Sequence, residues 1–99
     1  YRLDERAKLH GPLADVPLSR RPSEYFLQQC FISLDPDEYL AADVVKRLGD
    51  DNLVVSTDYP HIDAHFPHAV DEFFAIDGLS DGSRRKILWD NCARLYNVD

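Results

Sequence analysis

The amino-acid sequence predicts an α/β fold in which two short parallel strands alternate with helices. Residues 30–34 and 53–57 are mostly apolar runs without regular alternation, which is typical of strands that are covered on both faces. The segment between them, 35–49, repeats apolar residues at helical spacing, and further helical patterns follow from residue 67. A helix between two such strands predicts a right-handed β–α–β crossover.

The N-terminal part predicts a helix end, a long loop and a helical turn. Residues 1–9 are highly charged, which suits the solvent-facing end of a helix. Residues 10–22 contain Gly11 and three prolines, too many helix breakers for anything except a loop. Loops of this length are more often functional or attached to a partner than idle. Pro22 then suits the first position of a helical turn over 22–27.

The helix over 35–49 has start and stop signals. Asp35 is expected to cap its first N–H groups, Pro36 to occupy the first helical position, and Glu38 to complete a box-like arrangement. Gly49 is expected to end the helix in a left-handed conformation. Its apolar face consists of Leu40, Ala41, Val44, Val45 and Leu48.

Two more helices are predicted after the second strand. One runs from about Pro67 to Asp77–Gly78, and Ser80 caps the other. The apolar stripe of the first consists of Phe66, Ala69, Val70, Phe73 and Phe74. The last helix is expected to bury Ile87, Leu88, Trp89, Ala93 and Leu95.

Composition limits the organisation and the class of protein. Ninety-nine residues, 44% of them hydrophobic, predict one partial domain over 1–99. No apolar run reaches the roughly 20 residues of a membrane span, and the formal net charge of −7 argues against nucleic acid. Two strands leave exposed edges, so the chain is expected to belong to a larger barrel or to pair with another copy. The opening without Met, in a helix-like pattern, favours a fragment of a longer chain or an incompletely built one.

The two cysteines indicate a compartment. Cys30 and Cys92 lie far apart without a C-x-x-C pair, so we expect two partly buried thiols outside any zinc or redox site. Thiols of this kind are typical of a reducing compartment. A cytoplasmic location is therefore expected.

Functional groups of parallel α/β folds gather past the C-terminal ends of the strands, where this chain places Asp35 and Asp58. A functional role for Asp35 is the less favoured alternative, and Asp35 is expected to have a structural role as a helix cap. Asp58 is not expected to have this role, because Pro60 keeps Tyr59 extended and delays the next helix. A carboxylate in this position can bind a divalent metal or accept a proton from metal-bound water. The alternative is that Asp58 merely accepts hydrogen bonds from loop N–H groups.

Three histidines follow within eight residues, and they raise the alternative of a self-contained zinc site. His61, His65 and His68 have poor spacing for such a site, because Pro67 intervenes before a helix is secure. His65 and His68 are expected to be exposed loop residues. A stand-alone metal binder is the weakest of the functional hypotheses.

Three strings, 21–26 (RPSEYF), 56–61 (STDYPH) and 85–96 (RKILWDNCARLY), resemble the C-terminal third of the amidohydrolase-related family. That family includes metal-dependent hydrolases and decarboxylases of the aminocarboxymuconate-semialdehyde and hydroxybenzoate type. The resemblance implies the C-terminal part of a (β/α)8 TIM barrel, about two strand–helix units plus a terminal helix. The predicted strands would be the seventh and eighth of that barrel.

The resemblance also implies roles for particular residues. Asp58 corresponds to the eighth-strand aspartate, which binds the catalytic metal and handles a proton. His61 would lie at the substrate mouth as a substrate-binding residue. Asn91 would tie the last helix back to the barrel, with Leu95 and Tyr96 packed beneath it.

The chain departs from the family in its ligand set. The remaining family ligands are an H-x-H near the first strand and histidines on the fifth and sixth strands, and this sequence lacks them. A catalytic zinc needs about three protein ligands. The first hypothesis is thus a fragment, inactive alone, of an enzyme that hydrolyses or decarboxylates a small carboxylated substrate with one divalent metal, zinc being expected. The alternative is a non-catalytic structural or self-association module.

Overall fold

The computed structural model describes residues 2–13 and 16–98. It divides into two compact units, Tyr1–Cys30 and Phe31–Asp99. The first contains helix α1 (Arg2–His10), a 3-10 turn (Gly11–Leu13) and helix α2 (Pro22–Gln29). The second contains β1 (Ile32–Leu34), α3 (Ala41–Leu48), β2 (Leu53–Val55), α4 (Ala69–Ala75), α5 (Asp81–Arg85), a π-helical turn (Lys86–Asp90) and α6 (Asn91–Tyr96). The single partial domain over 1–99 stays a prediction.

The first unit confirms both predicted helices and shortens the loop between them. α1 has no buried residue, as its charged sequence predicts. His10 belongs to α1 and 11–13 form the 3-10 turn, so regular structure enters the predicted 10–22 loop; residues 14 and 15 lie outside the described part of the chain. Asp4 Oδ1 accepts a hydrogen bond from Ser23 N at 2.8 Å and so joins α1 to the start of α2.

The predicted parallel strands are present. β1 and β2 pair in parallel, with Ile32 opposite Leu53 and Leu34 opposite Val55. Each strand has three residues, shorter than the apolar runs that predict them. The core beside the sheet consists of Leu34, Ala41, Leu53, Phe73, Ile76, Leu79 and Ile87.

The helix predicted from Asp35 begins later than expected. Two turns precede it: Asp35 O accepts Glu38 N at 3.1 Å, and Glu38 O accepts Ala41 N at 3.0 Å. The predicted cap by Asp35 is therefore wrong, because these residues close turns of their own before α3. Gly49 ends α3 with φ of 80°, a positive value that favours glycine, but its ψ of −179° is extended and not left-handed helical.

The two later helices bury less than predicted. In α4, Ala69 and Phe73 are buried, whereas Val70 and Phe74 are exposed. The segment 81–96, which comprises α5, the π-helical turn and α6, is called the last helix below. In it Ile87 is fully buried, but Trp89 is 59% exposed. The prediction for Trp89 is wrong because a residue two positions after Ile87 points to another side of the helix. The predicted packing of Phe66, Leu95 and Tyr96 is likewise not observed, since these side chains are exposed.

The remaining expectations concern the thiols and the membrane. Cys92 is half-buried as expected, whereas Cys30 is exposed because it lies at the end of α2 and outside β1. Neither cysteine forms a disulfide. Across residues 2–13 and 16–98, no helix combines the length and the apolar character that a membrane crossing requires.

Candidate functional site at the end of β2

The chain leaves β2 through a loop, residues 56–68, that turns sharply at Asp58. Asp58 has φ of 54°, in the left-handed region that few residues other than glycine adopt, although aspartate is among the more tolerant. Ser56 Oγ accepts a hydrogen bond from Asp58 N at 3.2 Å, and Asp58 O accepts one from His61 N at 2.8 Å. The backbone of Asp58 thus shapes the turn, and its side chain stays 67% exposed.

Three side chains of this loop come together. One ligand atom each from Asp58, His61 and Asp63 lies within 4.8 Å of the others. His61 Nδ1 is 3.7 Å from Asp58 Oδ2 and is hydrogen-bonded to Asp63 Oδ1. That hydrogen bond holds the pKa of Asp63 below its ordinary value. Carboxylate oxygens and an imidazole nitrogen are donors that divalent metals accept, so the chemistry of this group fits such an ion.

Asp58 and His61, both predicted from the sequence, are therefore adjacent in the structure, and Asp63 is an addition. The sequence carried one signal for Asp63, since a carboxylate two positions from a histidine in a loop can turn back towards its ring. All three side chains are exposed. The group is open on the solvent side and leaves room for further ligands or a substrate.

The three histidines do not converge. His65 Nδ1 lies 2.5 Å from Glu72 Oε2, and His65 Nε2 lies 3.6 Å from Asp37 Oδ1. Its side chain is 33% exposed, so the prediction of an exposed loop histidine is wrong for His65; it is confirmed for His68. No potential metal group within the described residues contains all three histidines. The stand-alone zinc site therefore lacks its ligand set.

An aromatic pair lies in the same loop. The rings of Tyr59 and Phe66 have centroids 4.7 Å apart and are tilted by 52°. Both side chains are more than half exposed. The loop thus presents apolar ring surface as well as carboxylates and an imidazole.

The amidohydrolase family model matches residues 2–98. The chain belongs to the amidohydrolase family. This confirms the resemblance of the three strings, and it extends the match to the N-terminal helix.

Curated and structural relatives are decarboxylases. The chain is 25% identical over 101 residues to gamma-resorcylate decarboxylase of Polaromonas sp. (strain JS666 / ATCC BAA-500), covering 100% of this chain and 30% of that protein. The structure of a 2,6-dihydroxybenzoate decarboxylase complexed with 2,6-dihydroxybenzoate matches 98% of this chain and 30% of its own, with a TM-score of 0.75 and 28% identity. The 2,6-dihydroxybenzoate decarboxylase from Rhizobium matches 97% and 29%, with a TM-score of 0.74 and 28% identity.

The chain therefore spans about 30% of the length of these relatives. The predicted fold class is confirmed: this member of the amidohydrolase family has the fold of part of a (β/α)8 barrel, with two strand–helix units and a terminal helix. The family is metal-dependent. The donor atoms of Asp58, His61 and Asp63 are compatible with that property.

The opposite end of β2 is closed by the last helix. Asn91 is buried, and its Nδ2 donates to Asp50 O at 2.6 Å and to Leu53 O at 2.7 Å, as predicted for a residue that ties this helix to the barrel. Lys86 Nζ lies 2.9 Å from Asp50 Oδ1, and Ser83 Oγ donates to Asp50 Oδ2 at 2.7 Å. The contacts with Lys86 and Ser83 lower the pKa of Asp50. The carboxylates of Asp50 and Asp51 in turn raise the pKa of Lys86.

Proposed function

We propose that the chain is the C-terminal part of a metal-dependent decarboxylase that acts on a small aromatic carboxylate. The main support is the juxtaposition of Asp58 and His61 at the open end of β2, in a chain whose relatives are decarboxylases. Hydrolysis, the other reaction expected from the sequence, has no support from these relatives. Decarboxylation is therefore the favoured reaction.

The chain's own residues would divide the work. Asp58 is proposed as a metal ligand, with zinc as the expected ion, and as the group that handles the proton placed on the ring carbon when carbon dioxide leaves. His61 would contact the substrate, because its imidazole can donate a hydrogen bond to a carboxylate. When bound, the metal would supply positive charge that holds the anionic substrate.

Other parts of the complete protein must contribute ligands. Asp58 is exposed, and even with the neighbouring donors of His61 and Asp63 a metal there would lie largely in water, whereas catalytic sites are enclosed. We therefore propose that the chain is inactive alone and that its partner is the remainder of the barrel. A cytoplasmic location is proposed as well, because two cysteines far apart in the sequence and without a C-x-x-C pair are typical of a reducing compartment.

Exchange of Asp58 tests the proposal. In the full-length, metal-loaded protein, Asp58→Asn is expected to lower kcat for 2,6-dihydroxybenzoate decarboxylation by about 10²- to 10⁴-fold, because a proton-handling group is lost. Bound metal, measured by elemental analysis, should fall as well. Asp43→Asn is the matched control, since Asp43 is an exposed aspartate on α3 and does not lie at the end of a strand.

The control should keep both turnover and metal. Retention of metal and turnover by Asp58→Asn would refute the assignment of Asp58. Absence of metal-dependent decarboxylation of hydroxybenzoates by the unaltered protein would refute the reaction.

A second candidate is a non-catalytic self-association module. It is favoured by apolar side chains left exposed in the second unit, among them Ile32 on β1, Phe74 on α4 and Trp89. Sedimentation of the chain at high concentration tests it. A well-folded monomer would exclude self-association.

A further inference from the structure

We propose that His65 is a positioning residue that holds the metal-binding loop in place by bridging α4 and the turn after β1. This inference rests on the proposed function. It concerns residues that lie outside the Asp58–His61–Asp63 group. His65 contacts Glu72 on α4 through Nδ1 and approaches Asp37, after β1, through Nε2.

The loop needs such an anchor because several of its other contacts are local. The backbone N–H groups of Asp58, His61 and Ala64 donate to acceptors two or three residues earlier. Such bonds shape each turn, but they do not attach the loop to the rest of the unit. His65 connects the loop to two other elements.

Burial favours the bridge over a chance surface contact. Glu72 Oε2 is shielded from solvent and has no hydrogen bond of good geometry, and His65 Nδ1 lies 2.5 Å from it. A shielded carboxylate oxygen is costly without a polar partner. Removal of the imidazole should therefore turn Glu72 outward and release the loop.

The position of Asp37 links the contact of His65 to the end of the sheet where the candidate site lies. Asp37 lies in the turn after β1, and His65 lies in the loop after β2, so the bridge joins the loops at the C-terminal ends of two paired parallel strands. These ends carry the chemistry in folds of this kind. His65 thus fixes the donors of one strand–helix unit relative to the neighbouring unit.

A double-mutant cycle on the full-length protein tests the proposal. His65→Gln and Glu72→Gln are each expected to weaken zinc binding about tenfold, the lower range for residues that orient metal ligands. The double variant should lose no more than His65→Gln alone, because that variant already removes the contact with Glu72. His68→Gln is the matched control, an exposed histidine three residues away, with zinc affinity within about twofold of the unaltered protein.

Zinc affinity is measured by competition with a chelator, and amide hydrogen exchange of residues 58–64 and thermal unfolding are measured in parallel. Faster exchange in this loop with weaker zinc binding is the expected result. A lower unfolding temperature with unchanged zinc affinity would overturn the positioning role and leave a structural one. Additive losses in the double variant would overturn the bridge.

The two proposals fail separately. If the unaltered protein neither binds zinc nor decarboxylates hydroxybenzoates, the proposed function is refuted. In that case the bridge would still be tested by amide hydrogen exchange of residues 58–64. An exchange rate in His65→Gln equal to that of the unaltered protein would refute the bridge, whereas a faster rate would support it.

Discussion

The two ends of β2 carry polar side chains that are used in opposite ways. At the N-terminal end, Asn91 and Lys86 of the last helix direct their donors to backbone oxygens and to Asp50. At the C-terminal end, Asp58 and His61 keep their side chains exposed. One end uses its polar groups to join elements, and the other leaves them available for a ligand. This division agrees with barrels in which stability resides at one face and chemistry at the other.

The largest expected effect on stability is at the N-terminal end of β2, called the joining end below. Asn91→Ala removes two hydrogen bonds and leaves two carbonyl oxygens without this donor, so the free energy of unfolding should fall by about 2 to 4 kcal/mol. Urea unfolding measures the change. Asn97→Gly is a control at the end of the same helix, where φ of 55° suits glycine. A loss below about 1 kcal/mol for Asn91→Ala would break the comparison.

The second prediction uses pH. Lys86 and Ser83 hold the pKa of Asp50 below its ordinary value in the folded state. Asp50 therefore adds stability above its unfolded pKa of about 4, and this contribution is lost as the pH falls through the lower folded value. Asp50→Asn should lower stability at neutral pH and flatten its decline below about pH 4. Chemical unfolding across this range gives the measurement.

Asp63→Asn sharpens the same experiment at the other end of β2. The pKa of Asp63 is also lowered, by its hydrogen bond with His61, but its side chain is 78% exposed and solvent weakens the effect of this contact on stability. Replacement of Asp63 by asparagine should barely change how the free energy of unfolding depends on pH. A stronger flattening by Asp63→Asn than by Asp50→Asn would reverse the assignment of the stabilising end.

The smallest expected effect concerns the cap of α5. Ser80 Oγ accepts a hydrogen bond from Ser83 N at 3.1 Å, so Ser80→Ala should destabilise the chain by about 1 kcal/mol. Ser80→Asp keeps a capping oxygen and should retain most of the stability. Thermal unfolding compares them. Equal stability of the alanine and aspartate variants would show that the cap adds nothing to the joining end.

Local patterns in the sequence predict much of the second unit. Apolar runs give the two parallel strands, Pro60 predicts that Asp58 is not a helix cap, and Ser80 caps α5 as expected. Asp35 is mispredicted because turn formation and helix capping use the same residue types. Trp89 is mispredicted because its hydrophobicity suggests burial, whereas its position two residues after Ile87 places it on another side of the helix.

The site is predictable only where its residues are close in sequence. Asp58 and His61 belong to one short string, and the resemblance to a family assigns them together. The contact between His65 and Asp37 joins distant parts of the chain, and no local pattern reports it. The contacts of His65 with Asp37 and Glu72 could therefore be identified only from the three-dimensional structure.

Asn91 fixes the position of the N-terminal end of β2 relative to the last helix. Its amide holds Leu53 O, and Asp58 follows five residues later, at most about 17 Å along an extended chain. The last helix thereby sets how far the aspartate reaches beyond the sheet. A substitution near Asn91 is therefore expected to move Asp58, the proposed metal ligand, without changing any residue of the loop that carries it.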